Sequence, residues 1–374
     1  TGFHVDPHKG FFLNGRAYPL HGVSRHQDRK GLGNAITHEM HDEDMALIKE
    51  IGANTIRLAH YQHDQYFYDL CDEVGMVVWA EIPYISEHMP NGRENTISQM
   101  KELIIQNYNH PSIMFWGLSN EILIGGICQE LVDNHHDLQK LCKELDPTRS
   151  TTIAHVSHTP TDGPMHHITD LESYNHYFGW YGGKIEDNGP WLDKFHAEHP
   201  DICIGISEYG TEGIINWHSS TPQCKDYTEE YQAVYHEYMA QAFEDRPWIW
   251  ASHVWNMFDF GCAARNEGGV TVDPADVPNG SFASAGGLVG GPANVKISRS
   301  ANTGAVSNAK SRPTYYGTDG NYTGGLVGQI DPNGAFGVKT EIVGCVNSGS
   351  VTGGCNVGGI AGRVNDQNGS VLIE

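Results

Sequence analysis

The chain has 374 residues and a mass of 41.2 kDa, with 23 Lys+Arg against 46 Asp+Glu and a formal net charge of −23. That acidity argues against nucleic acid as a partner, and 18% charged with 10% aromatic residues excludes an acidic disordered tail. No apolar run reaches the roughly 18 residues that a membrane-spanning helix needs.

The averages conceal a split. The 107 residues from Gly268 to Glu374 hold 23 glycines with six basic and seven acidic residues. All eight Trp and all 22 His lie in the first 267 residues, and so does nearly all of the excess negative charge. This predicts a globular part over 1–267, a linker over 268–280 and a Gly-rich module over 281–374. The chain opens on Thr1 with no leader, so it is expected to be an excised or processed fragment. The eight cysteines form no C-x-x-C pair and are expected to be free, mostly buried thiols.

In chain order, Tyr18–Ser24 reads as a strand and Thr37–Ile51 as a helix with Thr37 at its N-cap. Strand Asn54–Ala59 and helix Asp64–Val74 follow, then strand Met76–Pro83 and helix Ile97–Tyr108. Strand Ser112–Glu121 leads to helix Gln129–Leu145. Strands Ser150–Val156 and Ile168–Asn175 come next with no helical pattern between them. Helix Trp191–His199, strand Ile202–Gly210, helix Thr228–Phe243 and strand Trp248–Phe260 complete the series. Eight mostly apolar strands alternating with helices predict the α/β class and a parallel sheet. Their number and span suit a (β/α)8 TIM barrel, with a doubly wound open sheet as the alternative. No eighth helix is visible before the Gly-rich tail begins.

A barrel of this kind carries its site at the C-terminal ends of its strands. Those ends hold His26, Arg57, His60, Glu81, Asn120, Glu121, Tyr177, Glu208 and Trp255. Glu121 and Glu208 are expected to face each other across the pore. One protonated and one ionised carboxyl is what glycosidic cleavage needs. Trp79, Trp116 and Trp255 are expected to offer flat apolar platforms to a sugar. The alternative is that one or both glutamates are structural and pair with Arg57.

Short motifs in series sharpen this. They are Phe11-Phe12-Leu13-Asn14-Gly15, Leu20-His21-Gly22-Val23-Ser24-Arg25-His26 and Asn54-Thr55-Ile56-Arg57 with His60-Tyr61. Then come Asn109-His110-Pro111-Ser112-Ile113, Trp116-Gly117-Leu118-Ser119-Asn120-Glu121, Ser207-Glu208-Tyr209-Gly210 and Trp255-Asn256-Met257-Phe258-Asp259-Phe260. Over about residues 9–267 the chain resembles the barrel domain of glycoside hydrolase family two, the β-galactosidase, β-glucuronidase and β-mannosidase family. The resemblance implies a retaining glycosidase with Glu121 as acid/base and Glu208 as nucleophile. Their carboxyl groups would then stand roughly 5–5.5 Å apart. It also implies that Asn120 holds the sugar 2-hydroxyl, that Tyr177 supports the nucleophile and that His26, His60 and Trp255 line the pocket.

For the sugar, family β-glucuronidases carry an Asn-x-Lys signature after the last strand, and none occurs around residues 262–285. An acidic barrel also offers an anionic sugar no steering. The expected substrate is therefore a terminal β-galactoside, with β-glucuronide or β-mannoside as alternatives. No cofactor is expected to be required. Some family members bind Mg²⁺ near the acid/base, but Glu81, Glu87 and His88 depart from that spacing. The sugar-binding and immunoglobulin-like domains that usually precede such a barrel are not in these residues.

The tail repeats Gly286-Gly287-Leu288-Val289-Gly290 as Gly324-Gly325-Leu326-Val327-Gly328 and Gly358-Gly359-Ile360-Ala361-Gly362. It resembles the GLUG-type repeats of bacterial surface and secreted proteins, which implies a β-solenoid-like stack and an extracellular or cell-surface location. A flexible Gly-rich linker is the alternative. A surface-adhesion protein with a relic, non-catalytic barrel is the second function class.

Overall fold

The computed structural model describes residues 2–215 and 217–261. Beyond them it describes only short strands between 284 and 373, with Cys345 and Ile360. The chain divides into two units, the first holding residues 1–261 and the second almost all of the rest.

The first unit opens with a small antiparallel sheet of β1 (Phe3–Asp6), β2 (Gly10–Leu13) and β3 (Arg16–Ala17). Asn14 and Gly15 turn between β2 and β3 at φ 50° and 78°. The sheet seats Phe3 and Phe11 against Phe115, where the strands of the barrel begin.

The barrel follows as β4 (Leu20–Arg25), α1 (His38–Glu50), β5 (Thr55–Leu58), α2 (Gln65–Val74), β6 (Val77–Glu81) and α3 (Gly92–Asn107). It continues with β7 (Ile113–Asn120), α4 (Gln129–Leu145), β8 (Ser150–Val156) and β9 (Leu171–Asn175). It ends with α5 (Asn188–Glu198), β10 (Ile204–Tyr209), α6 (Glu229–Glu244) and β11 (Ala251–Val254). The strands β4 to β11 close into one parallel barrel, with β11 pairing β4. The closed barrel thus replaces the open-sheet alternative.

The six helices form where the pattern predicts, within three residues at each end except α3, which starts at Gly92 rather than Ile97. Asp64 caps α2 by accepting from the Tyr66 N–H, and Gly75 ends it at φ 77°. Thr37 stands at the N-cap of α1 but its side chain makes no capping bond. Ile48, Phe67, Leu103 and Leu138 pack the helical layer onto the strands, nearly free of exposure. Each such burial is worth about 1.5–3 kcal/mol. No α-helix joins β8 to β9; residues 157–170 cross that gap as turns and loop.

The expected linker over 268–280 and the question of an eighth helix fall outside the described residues. In the second unit, Ser284–Gly286, Tyr322–Gly324 and Val357–Gly358 form one parallel sheet. Lys296–Ser298, Thr340–Val343 and Val371–Ile373 form another. Val327–Ile330 pairs in parallel with Ala361–Val364. No helix among the described residues is long and apolar enough to cross a membrane.

Candidate active site

Arg57, near the end of β5, organises the pore. Its side chain is wholly buried, and its donors fan out to three other strands. Nε and Nη2 donate to the two oxygens of Glu81 at 3.0 and 3.1 Å. Nη2 also donates to Asn120 Oδ1 at 2.8 Å, and Nη1 to Glu208 Oε1 at 2.7 Å. The Trp79 ring lies 4.9 Å from the guanidinium carbon. Gly117 makes room for this cluster. A Cβ there would stand 2.3 Å from Trp79 Nε1 and 2.6 Å from the Glu81 Cβ.

Glu208, on β10, accepts from Arg57 through one oxygen and from the Tyr177 hydroxyl through the other, also at 2.7 Å. Burial, then the Glu208 charge, raises the Tyr177 phenol well above its ordinary value, so it stays a donor. His60 Nδ1 lies 2.7 Å from Glu81 Oε1, and its Nε2 lies 3.9 Å from Glu208 Oε1. Burial alone would raise the Glu81 carboxyl, but Arg57 and His60 overcome it and hold it below its usual value. Asn120 Oδ1 takes a second bond from Asn175 Nδ2 at 3.0 Å, and Ser207 Oγ orients Asn175 from the other side.

Glu121 follows β7 in the left-handed region, at φ 49° and ψ 29°. Its N–H donates to the Ala154 carbonyl at 2.8 Å. Burial, and then the Glu208 charge, push its carboxyl up, while Asn175, Arg57 and His60 oppose the rise. A non-glycine residue in this region costs about 1–3 kcal/mol, and such outliers cluster at active sites.

Three rings line the wall beside the pair. His60 stacks on Trp255 at 4.9 Å, and His26 meets both rings edge-on at 5.3 Å. Phe260 covers the far face of His26 at 4.4 Å. Burial pushes the His26 imidazole down to about 4, with His60 adding to the drop, so it is neutral at pH 7.

The structure thus gathers Glu121, Glu208, His26, His60, Asn120, Tyr177 and Trp255 at one end of the barrel. One expectation needs correcting. Trp79 and Trp116 have no exposed surface and cannot carry a sugar face. Trp79 fills the barrel under Arg57, and Trp116 turns outward to donate to Asp146 at 3.0 Å. Glu81 is committed to Arg57 and His60, and His88 Nδ1 faces the Tyr84 hydroxyl. Arg57 stands at a strand end and its pairing with a glutamate is the structural alternative; that pairing is present with Glu208, and Asn175, to which the motif series assigns no role, joins the network through Asn120.

An eight-stranded parallel barrel with carboxyls at the ends of its fourth and seventh strands defines the class as a glycoside hydrolase barrel. Residues 5–273 match the model of glycosyl hydrolases family 2, TIM barrel domain, and the chain belongs to that family. It is 77% identical to an FMN-binding β-glucuronidase from Faecalibacterium prausnitzii L2-6, with a TM-score of 0.70 over 72% of this chain and 42% of that one. It is 44% identical to a β-glucuronidase from Bacteroides fragilis over 71% of this chain and 39% of that protein. A Bacteroides uniformis β-glucuronidase covalently bound to cyclophellitol-6-carboxylate aziridine is 38% identical, with a TM-score of 0.65 over 68% of this chain and 32% of that one. The chain spans about two fifths or less of the length of these relatives.

Proposed function

We propose that residues 1–267 are the catalytic barrel of a retaining β-glucuronidase. The observation that carries the reaction class is the fixing of Glu208 between Arg57 and Tyr177, with Glu121 pushed toward its protonated form beside it. Although a Bacteroides fragilis structure of 38% identity and TM-score 0.66 is named a putative β-galactosidase, the sugar is read from the three relatives described above, each named β-glucuronidase. One of them holds a covalent ligand bearing a 6-carboxylate. This reading replaces the galactoside expectation, which rested on the missing Asn-x-Lys signature and the acidic barrel.

In the proposed mechanism a Glu208 oxygen attacks the anomeric carbon as the bond to the aglycone oxygen breaks. Glu121 gives its proton to that leaving oxygen. The same carboxylate then takes a proton from water, which attacks the anomeric carbon and releases Glu208. Arg57 fixes the Oε1 side of Glu208 and Tyr177 the Oε2 side, so the nucleophile needs little reorganisation. The Asn120 amide is assigned to the sugar 2-hydroxyl, and His26, His60 and Trp255 to the pocket wall. Residues 268–280 are assigned as linker and 281–374 as a stacked β module that displays the enzyme outside the cell. The parallel pairing of the described tail strands supports the stacked module.

Turnover of 4-nitrophenyl β-glucuronide, β-galactoside and β-mannoside tests the sugar. The glucuronide should lead in kcat/KM by about 10²-fold or more, because a site that pairs the carboxylate leaves that group unmatched with the others. A leading galactoside would overturn the choice of sugar, and no turnover of any would favour the relic barrel.

Glu121→Ala tests the acid. In the native enzyme kcat/KM should fall as pH rises through the elevated Glu121 value, because the acid must hold its proton. In the variant that basic limb should vanish for activated aryl glycosides, and azide should restore much of the rate. An unchanged limb, or no azide effect, would remove Glu121 from the role.

A further inference from the structure

The gap between β8 and β9, where no helix covers the barrel, holds an unusual polar cluster. Thr152 and Ser173 bond each other inside the pore, and Asn175 reaches Asn120 there. The period-two alternation of strands then turns His155 and Glu172 to the outer face of the wall. They meet His166, carried by the crossing loop. All three are buried, with 2%, 1% and 5% of their surface exposed. One ligand-type atom from each lies within 4.8 Å of the others.

The partners around the cluster are those of a prepared donor set. His155 Nε2 stands 2.7 Å from Glu172 Oε2. The other Glu172 oxygen accepts from the His167 N–H at 2.9 Å. His166 Nε2 is 2.6 Å from the Tyr174 hydroxyl. His166 Nδ1 is buried and has no partner. An imidazole with one nitrogen held by an outer hydrogen bond and the other bare is the arrangement of a metal-bound histidine. Left empty-handed, such a buried nitrogen carries the full desolvation penalty of an unmade hydrogen bond.

We propose that His155, His166 and Glu172 hold a zinc ion behind the barrel wall, apart from the catalytic pore. Two imidazoles and one carboxylate suit Zn²⁺, whereas Mg²⁺ and Ca²⁺ take oxygen ligands. In a four-coordinate zinc site the ligand atoms stand about 3.3 Å apart. The 2.7 Å contact must therefore open slightly, any longer separation within the 4.8 Å limit must close, and one of the two imidazoles, stacked at 4.6 Å and 18° from parallel, must turn so that both lone pairs meet the ion. Three protein ligands leave the fourth position to water. The ion would pin loop 157–170 to β8 and β9 where other units use a helix.

The competing arrangement is a plain His155–Glu172 hydrogen bond that needs no metal. The full chain, treated with chelator and dialysed, should be titrated with ZnCl₂ by calorimetry and with CoCl₂ by visible absorption. The expected result is one tight equivalent, the intense visible band of four-coordinate Co²⁺, and a Tm that rises with zinc. His166→Ala and Glu172→Gln should each lose that equivalent by about 100-fold or more in affinity. Tyr174→Phe, which frees the outer His166 nitrogen, should keep the stoichiometry and weaken binding about 10–100-fold. The chain has 22 histidines, and zinc held elsewhere would persist in these variants. Equal uptake by the native chain and His166→Ala overturns the proposal, as does no uptake. Should His166→Ala fail to fold, the native cobalt spectrum and Tyr174→Phe decide: no four-coordinate band, or unchanged affinity, also overturns it.

Discussion

Glu208→Gln should reduce turnover of an aryl β-glucuronide by at least about 10⁴-fold and leave the barrel folded. The native carboxylate accepts one bond from Arg57 and one from Tyr177, each at 2.7 Å. A glutamine of the same shape keeps one accepting oxygen but presents an amide to the second donor. It cannot form the glycosyl ester, because its oxygen is a poor nucleophile and bears no charge to meet the developing oxocarbenium centre. A merely structural Glu208 would behave otherwise: losing its pairing with Arg57 would lower stability while turnover survived. Comparing kcat with the thermal midpoint separates the two. A variant that keeps more than about a hundredth of native kcat would end the nucleophile assignment. Intact mass after a steady-state acid quench gives an independent check. The native protein should gain one glycosyl mass, and the variant none.

Much of this arrangement was legible in the residues because its signals are local. Apolar runs, caps and stop residues located all eight strands and six helices, although α3 starts five residues before the predicted Ile97 and β11 ends six before the predicted Phe260. Strand ends then singled out Glu121 and Glu208. The short sheet β1–β3 escaped, although Asn14-Gly15 after the apolar run Phe11-Phe12-Leu13 is a hairpin-turn signal. Trp116 was misread for a different reason. The pairing of β7 with β8 shifts between Gly117 and Asn120. Counting in twos back from Asn120 therefore sends Trp116 into the pore, while the real strand turns it out to Asp146. Arg57 was visible as a residue but not as a hub. Its partners Glu81, Asn120 and Glu208 lie 24, 63 and 151 positions away, and only closure of the barrel brings them together.

Arg57→Met should be the most destabilising single change in the pore, by about 3–5 kcal/mol, because it strands two buried carboxylates that share one guanidinium. For a barrel of this size that corresponds to a Tm lower by roughly 10 °C. The loss should depend on pH in a fixed direction. In the native protein the Glu81 value is depressed, so its contribution is present above the unfolded value of about 4.3 and is lost as pH falls through the folded one. In the variant, burial dominates and raises the folded Glu81 value. Its penalty is then absent below about 4.3 and grows as pH rises. The gap in Tm between native and variant should therefore be widest near neutrality and narrow toward pH 4. Differential scanning at a series of pH values measures it, and a gap independent of pH would mean that the methionine acts through packing alone. Activity should fall further than stability accounts for. The same substitution releases Asn120 Oδ1 and the Oε1 side of Glu208, so the nucleophile and the proposed 2-hydroxyl contact lose their positioning together. Arg57→Lys separates the two effects. It keeps the charge, so it should recover part of the stability, but one ammonium cannot reproduce the fork that reaches Glu81, Asn120 and Glu208 at once.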